Sequence, residues 1–600
     1  MKISYNWLLD YIPFKLNKDE LSLVLTSIGL EVESIHYFEK YTGGLEGLVV
    51  GKIIEINPHP ESDKLKVTQV FISDTLTLQI ICGATNIEVG QNVAIAMDGT
   101  TIYPTNGKAQ KIQAILIKGV DSLGMICAGY EIGVDNNKSG VLILNQDIKP
   151  GTLLKDIFIQ YTDWIFEIGL TPNRMDANYH YGVAIDLYAY FLHHNEEYKL
   201  KQIYNVKLPN TLEKYPISIH IENNKDCSRY VGIYISDVQI KESPTWLQNN
   251  LLSIGLKPIN NIVDITNFIL HETGQPLHAF DADKIMGNKI IIKNFPTNTK
   301  FTTLDGIERN LLSTDLMISD EQKPICMAGI YGGLDSGITA HTKSVFLEAA
   351  FFNPIAIRKS ATNHNLRTDA SAHFEKGIDI SNCKNALIRA AQFIQEMAGG
   401  NLSIIEDIYP NPVPPTTINL SYSFVKKLSG NNFHPQKIKD LLKSLQFDIL
   451  IDKTDLLQVG VPFSKMDIKN QADLVEEIIR IDGINNIPIQ KSIKIISQVE
   501  QINYSEKIIE KIETFLVGNG FSEIITNSLT NSKYYNDYQL DVCVKLLNSV
   551  STELNILRPT LLETGLEVVS YNLNRQQSNL KLFEVGKVYS SFQQNYNEKT

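Results

Sequence analysis

Between residues 46 and 120 the chain reads as a succession of β-type runs, LVVGKIIEI, LKVTQVFI, LTLQIICGA, NVAIAM and KIQAILIKGV, separated by turn-rich pieces such as NPHPESD. β-branched and apolar residues bounded by Gly, Pro, Asn and Asp are strand signals. Five strands within about 75 residues suit a small barrel of the OB type. The rest of the chain cannot belong to that barrel. At 600 residues it exceeds what one core supports, so several domains are expected.

Elsewhere the pattern is mixed α+β. Asn17 and Glu20 in NKDE have capping-box spacing, LSLVLTSI follows, and Gly29 is placed to end a short helix. TPNRMDANYHYGVAIDLYAYF reads as a turn and then a helix from near Asp176. From about 215 to 400 the pattern is α/β: TLDG supplies an Asp305-Gly306 hairpin turn, and NPIAIRKSATNH and NCKNALIRAAQFIQEMAG have helical periodicity. The glycine-rich MAGIYGGLDSG is no phosphate loop, because neither G-K-[ST] nor a strand-to-helix G-x-G-x-x-G accompanies it. NPVPPTT marks a boundary, followed by a small α+β module ending near 488. A helix SEKIIEKIETFLVGNGF then precedes strand-like EIITNSL, CVKLLN and KLFEVGKVYSS. The sequence stops in polar QQNYNEKT with no final element expected, so it reads as cut off.

Composition excludes some classes. No stretch approaches the roughly 18 apolar residues of a membrane span, and MKISYNWLLDYIPFK lacks the features of a secretory signal, so a cytoplasmic protein is expected. Six cysteines without a C-x-x-C pair argue for reduced, buried thiols rather than zinc or disulfides. The net charge of -12 leaves nucleic-acid binding to local basic faces. One such face is offered by Lys64, Lys66, Lys108, Lys111 and Lys118; from charge alone a phosphate-facing strip and a lysine edge that blocks sheet pairing weigh equally.

Two further constellations stand out. TNFILHETGQPLHAF carries His271 and His278 in apolar surroundings, where a histidine is more often a core residue than a catalyst. In ADLVEEIIRI, Asp473, Glu476 and Glu477 fall at i, i+3 and i+4 on a helix face, with Asp467 preceding. Oxygen ligands so spaced suit Mg²⁺, while an acidic first turn complementing the helix dipole is the simpler reading.

HPESDKLKV, QIICGATNIEVGQNVAIA and IKGVDSLGMICAGYEIG together resemble the tRNA-binding OB domain appended to several aminoacyl-tRNA synthetases. With TPNRMD, GLKPINNIVDITNFILHETGQPLHAFDADK, TLDGIERNLLSTDLMISD, AGIYGGLDSGI, FLEAAFFNPIAIRKS, LRTDASAHFEKGID, DLVEEIIRIDGINNIP and LLNSVSTELNILRPTLLETGL, in this order over nearly the whole chain, the sequence resembles the bacterial phenylalanyl-tRNA synthetase beta chain family. The resemblance implies six segments: an N-terminal helical segment (1–39), an OB-fold tRNA-binding domain (40–155), a connecting helical segment (156–208), an editing domain (209–400), a small α+β module with an acidic metal site (408–488) and an incomplete, catalytically inactive class II synthetase-like antiparallel domain (492–600).

It also implies chemistry. Thr266, Asn267, His278, Ala328, Gly329 and Glu348 match an editing pocket that hydrolyses tyrosine wrongly esterified to the tRNA for phenylalanine; His271 has no such match and reads as surface. A hydroxyl-binding pocket discriminates tyrosine from phenylalanine where an apolar one cannot. Glu348 is then the acceptor for the phenol, Gly329 allows close backbone approach, and Thr266, Asn267 and His278 orient water. Asp467, Asp473, Glu476 and Glu477 match a Mg²⁺ site shared with the alpha chain. ATP is used by the alpha chain of an α2β2 tetramer, and Arg558 reads as structural rather than ATP-binding. Departures from the family are Ala177, Tyr179, Asp186 and Lys465, the last standing where arginine is usual. The other readings are a non-enzymatic tRNA-binding scaffold and a free-standing deacylase.

Overall fold

The capping box at Asn17 forms as its spacing requires. After the short strand β1 (Lys2–Ser4), the Asn17 side chain accepts from the Asp19 and Glu20 N–H groups at the start of α1 (Lys18–Ser27), while Glu20 accepts from the Asn17 N–H at 2.8 Å. The structure, a computed structural model, describes residues 1–105, 107–204, 216–489, 504–592 and 595–600. They fall into two units, Met1–Ile489 and Gln490–Thr600. The expected boundaries at 208/209 and 492 lie outside the described residues.

β2 (Glu31–Glu39) leads into the barrel, whose first four strands are those read from the sequence: β3 (Leu48–His59), β4 (Ser62–Ser73), β5 (Leu76–Cys82) and β6 (Asn92–Met97). They run in the order β6-β3-β4-β5, and Val49, Ile53, Val70, Ile80, Val93 and Ile95 fill the interior. The fifth run does not form one strand. Gln110–Lys111 pairs with Thr101–Ile102, and Ile115–Ile117 folds back on Val120–Ser122 through Lys118 and Gly119, both at positive φ (44° and 78°). The sheet is extended instead by β7 (Gly124–Ile126), antiparallel to β6. The Leu123 N–H donates to the Gln79 carbonyl at 2.9 Å, which brings the two ends of the sheet together into a nearly closed barrel.

The chain then returns in β8 (Thr162–Gly169), which lies antiparallel between β1 and β2. The segments expected to be simply helical at 1–39 and 156–208 therefore share one sheet, because β8 offers both its edges to the N-terminal strands. The helix expected from Asp176 starts later: a 3-10 turn, Met175–Ala177, precedes α2 (His180–His193).

Next comes a sandwich. β9 (Cys227–Ser236), α3 (Asn261–Thr273), β10 (Leu277–Asp281), β11 (Val345–Phe352), α4 (Pro354–Asn363), α5 (Asp369–Lys376) and α6 (Cys383–Ala398) follow in order. The sheet order is β10-β11-β9. Successive side chains alternate between its faces. Val231, Ile233, Leu347 and Ala349 pack with the helical core that includes Ile265 of α3 and Ile394 of α6. Tyr230, Phe280, Phe346 and Ala350 pack against Ile290, Ile292, Met317 and Ile318 of a second, five-stranded sheet. The TLDG turn forms as expected, with Lys300–Thr302 paired to Glu308–Asn310 and Gly306 at φ +77°. A three-stranded antiparallel module, Thr417–Leu420, Leu456–Gly460 and Asp448–Lys453, ends the first unit with α7 (Gln471–Asp482).

The second unit contains helices Tyr504–Gly518 and Leu562–Leu573 and only two-stranded pairings among its described residues. One of these, Ser522–Glu523 with Leu582–Phe583, is parallel, a departure from the antiparallel sheet expected. CVKLLN contributes only the bridge from Lys545 to Ile556, and the polar end is not without structure, since Asn595–Lys599 pairs with Val588–Phe592.

Gly51 in β3 marks how tightly the barrel closes: a Cβ there would lie 2.5 Å from Val70 and 2.7 Å from Ile95. Gly51→Ala is expected to cost about 1–3 kcal/mol through overpacking, read as a lower unfolding midpoint in urea; an unchanged midpoint would show that the barrel has slack.

Candidate active site

α3 opens on Asn260, whose side chain accepts from the Ile262 and Val263 N–H groups, and closes on Gly274 at φ +76°. A Cβ at Gly274 would meet the Tyr179 ring at 2.4 Å, so only glycine permits the tight passage into β10. That passage fixes the register of β10 on β11, in which His278 stands directly opposite Glu348. Thr266 and Asn267 of α3, His278 of β10, Tyr331, Gly332 and Asp369 of α5 border a cavity of about 470 Å³, within the usual range for small-ligand sites.

The imidazole of His278 packs edge-on against Phe280, with ring centroids 4.5 Å apart, and lies over Gly332, where a Cβ would come within 2.9 Å of it. Burial lowers its pKa to about 4, so it is neutral near pH 7. Burial acts the opposite way on Glu348, raising its carboxyl to about 8 against the opposing influence of a hydrogen bond from Tyr230. His278 Nε2 and Glu348 Oε2 are both buried without a hydrogen-bond partner. Buried polar atoms left unpaired cost about 1–3 kcal/mol each, and native proteins keep few of them. These two stand on facing residues, with His278 at the cavity wall. Thr266 Oγ1 donates to the Val263 carbonyl at 2.7 Å, which leaves its lone pairs as acceptors.

The six sequence-derived positions are thus only partly brought together. Thr266, Asn267 and His278 reach the cavity wall, and Glu348 stands behind His278. Ala328 and Gly329 are not at the wall. Gly329, at φ +67°, is required by packing, because a Cβ would strike Phe374 (2.8 Å) and Phe352 (3.0 Å). His271 is not a surface residue: its side chain is largely buried, burial lowers its pKa, its carbonyl accepts from His180 Nδ1 at 2.8 Å, and its Nε2 lies 3.9 Å from Asp369.

The four carboxylates of the acidic constellation have separate surroundings. Glu477 turns inward, where Lys465 Nζ lies 2.7 Å from its Oε2 and Arg480 Nε 3.0 Å from its Oε1. Lys465 also bonds Asp176 (2.6 Å), Arg174 bonds Asp176 (2.9 Å) and Asp186 (2.5 Å), and Arg480 bonds Asp186 (2.8 Å). Three cations and three carboxylates thus form one buried network joining α2 to α7. Burial opposes ionisation, but Lys465 and Arg174 hold Asp176 at about 2, and Lys465 and Arg480 keep Glu477 well below the usual range. Asp473 instead caps its own helix, accepting from the Lys469 and Asn470 N–H groups; Glu476 is exposed, and Asp467 accepts from Asn173. Among the described residues no group of three or more His, Cys, Asp or Glu side chains is placed to hold a metal ion. The i, i+3, i+4 spacing does not by itself bring the three carboxylates together in this chain, because the buried cations hold Glu477.

Of the lysines, Lys64, Lys108, Lys111 and Lys118 are exposed and Lys66 half-buried. Arg558, in the second unit, is buried and paired to Glu584 at 2.8 Å, a structural role. Sequence reasoning missed Tyr230, Gly332 and Asp369. The strand alternation of SRYVGIYIS, the YGGLDSG run and the TDAS helix start signal each element, but their convergence depends on strand pairing.

The chain matches the tRNA binding domain family over residues 48–153, the B3/4 domain over 226–399, the tRNA synthetase B5 domain over 418–484 and the phenylalanyl tRNA synthetase beta chain CLM domain over 489–600. Such an assembly defines an aminoacyl-tRNA ligase polypeptide. Phenylalanine–tRNA ligase beta subunits from Bacteroides fragilis (strain YCH46), Porphyromonas gingivalis and Carboxydothermus hydrogenoformans are 42%, 41% and 38% identical to it, each over 98% of this chain and 72%, 72% and 73% of the relative. The chain belongs to the family of phenylalanine–tRNA ligase beta subunits. No helix among its described residues is long and apolar enough to cross a membrane.

Two outcomes follow from the geometry. A carboxyl raised to about 8 in the fold, against 4.5 unfolded, stabilises fully below pH 4.5 and loses that contribution as pH rises through 8. The native protein should therefore lose melting temperature relative to Glu348→Gln between pH 5 and 8.5; parallel curves would show Glu348 to be ordinary. Lys465→Met should cost roughly 3–5 kcal/mol by stranding Asp176 and Glu477, with most of it restored in Lys465→Arg. A loss under 1 kcal/mol by urea titration would mean that the network is not closed.

Proposed function

We propose that this chain, as a phenylalanine–tRNA ligase beta subunit, hydrolyses tyrosine wrongly esterified to the tRNA for phenylalanine in the cavity between α3, β10 and α5. The observation that carries this reading is the facing pair of unpartnered polar atoms, His278 Nε2 and Glu348 Oε2, beside that cavity. A carboxyl that keeps its proton near neutral pH both donates and accepts, so Glu348 suits a neutral phenol, the group that separates tyrosine from phenylalanine. A site built to bond a hydroxyl rejects the analogue lacking it by about 10⁴–10⁵. Neutral His278 has an accepting nitrogen, and Thr266 an accepting oxygen, for a water aimed at the ester carbonyl. Asn267 supplies a donor to steady that water.

Around this site the other segments take supporting roles. The barrel (40–155) binds tRNA through Lys64, Lys66, Lys108, Lys111 and Lys118. The module 408–488 and the domain 492–600 hold the alpha chain, which carries the ATP- and Mg²⁺-dependent ligation in a cytoplasmic α2β2 tetramer.

Tyrosyl-tRNA given to the purified protein with and without its alpha partner tests this. Hydrolysis is expected, slowed by about 10²-fold or more in His278→Ala and Glu348→Gln, with phenylalanine attachment by the complex intact. Absence of hydrolysis in both conditions would leave a tRNA-binding scaffold, full activity without the alpha chain a free-standing deacylase, and equal loss of both activities a structural role for the pair.

A further inference from the structure

A second hollow, of about 570 Å³, lies on the outer side of α4 and α5, bordered by Arg358, Arg367 and Lys376 together with Asn365 and Glu375. Residues 354–376 carry four Lys or Arg (358, 359, 367 and 376) against two acids, in a chain of net charge -12. The three bordering cations are exposed. Arg367 is 82% exposed, and its one acidic neighbour, Glu375, stands at 3.6 Å, too far for a good hydrogen bond. In a chain of net negative charge, a local basic groove decides where a polyanion lies.

The groove and the cavity of the candidate site are bordered by consecutive stretches of the chain. Leu366 and Arg367 border the groove, and the next three residues, Thr368, Asp369 and Ala370, border the cavity. Thr368 is held in place by donating to the Ile330 carbonyl at 3.0 Å and by capping α5. Along the chain, guanidinium and ammonium groups at the groove are followed by the exposed Asp369 carboxylate at the border of the cavity, which also holds His278. An aminoacyl ester at the end of an RNA has the complementary order: phosphates, then a cationic α-amino group, then the side chain.

We infer that the Arg358–Arg367–Lys376 groove seats the phosphates of the single-stranded 3′ end of the RNA whose terminal ester enters the cavity. The inference rests on the hydrolytic reading for its occupant. Single-stranded nucleic acids are held by basic grooves that track the backbone, and the two arginines supply the forked donors that fit phosphate oxygens. Asp369 repels phosphate and so sets where the backbone stops and the aminoacyl group begins.

The test uses the alpha–beta complex and an RNA minihelix bearing an acceptor stem with a single-stranded 3′ end, its binding measured against salt. The triple variant Arg358→Gln, Arg367→Gln, Lys376→Gln should bind more weakly and show a log K versus log salt slope shallower by about 0.7 per lost phosphate contact, about 2 in all. Arg367→Lys alone should keep the native salt slope, because the charge stays, while binding more weakly than the native protein through loss of the fork. The triple variant should also raise KM without lowering kcat for tyrosyl-minihelix hydrolysis, while hydrolysis of tyrosyl-adenosine, which has no phosphates, is unchanged. An unaltered affinity and slope overturn the inference, as does an equal effect on a blunt-ended duplex of the same length. If the native complex hydrolyses neither ester, the hydrolytic reading fails, and the salt slope still decides the groove.

Discussion

The opposition of His278 and Glu348 across two antiparallel strands is the constraint on which the site depends. It places two polar groups where the face of the β10-β11-β9 sheet meets an apolar second sheet, among Phe280, Phe346 and Ala350. Low polarity there holds both groups neutral, the base because its pKa falls and the acid because its pKa rises. A slip of one residue in β10 would turn His278 to the helical face and leave Glu348 without its neighbour. The register is guarded at several points: Gly274 lets α3 turn into β10 under Tyr179, Gly332 leaves room for the imidazole, and Gly232 stands opposite Glu348 on its other side.

Much of the architecture was legible in the residues. The barrel's first four strands, the Asn17 cap, the Asp305-Gly306 turn and the helices after Asn353 and Asn382 are local events, each set by a few neighbouring side chains. What was not legible is long-range. KIQAILIKGV has the composition of one strand, yet Lys118-Gly119 breaks it into a hairpin with Ile115 and Leu116 exposed, because Gly124–Ile126 takes the place beside β6. β8 pairs with strands more than a hundred residues earlier, which no window of sequence shows. At the site, Thr266, Asn267, His278 and Glu348 were grouped only through resemblance, and the structure brings the first three to one cavity with Glu348 opposite His278. Gly329 has a packing requirement that the sequence does not show, since the phenyl rings a side chain there would meet come from β11 and α5.

The acidic helix α7 teaches the same lesson in electrostatics. Three carboxylates at i, i+3 and i+4 look equivalent in sequence, but Asp473 is spent on backbone N–H groups, Glu476 faces solvent and Glu477 is neutralised by Lys465 and Arg480. The departures at Asp186 and Lys465 acquire a reason here. Asp186 receives two arginines and Lys465 bridges two carboxylates, so the network closes with equal numbers of opposite charges. Buried ion pairs contribute little net stability but are costly to break, and this one fixes α7 of the small module against α2.

The most direct test of the central claim, that the cavity selects a phenol through Glu348, is binding of non-hydrolysable amide analogues of tyrosyl- and phenylalanyl-adenosine to the native protein and to Glu348→Ala, followed calorimetrically. The expected result is tyrosyl affinity at least tenfold above phenylalanyl in the native protein, with the difference erased in the variant. Equal affinities in the native protein, or a preference that survives the loss of Glu348, would contradict it.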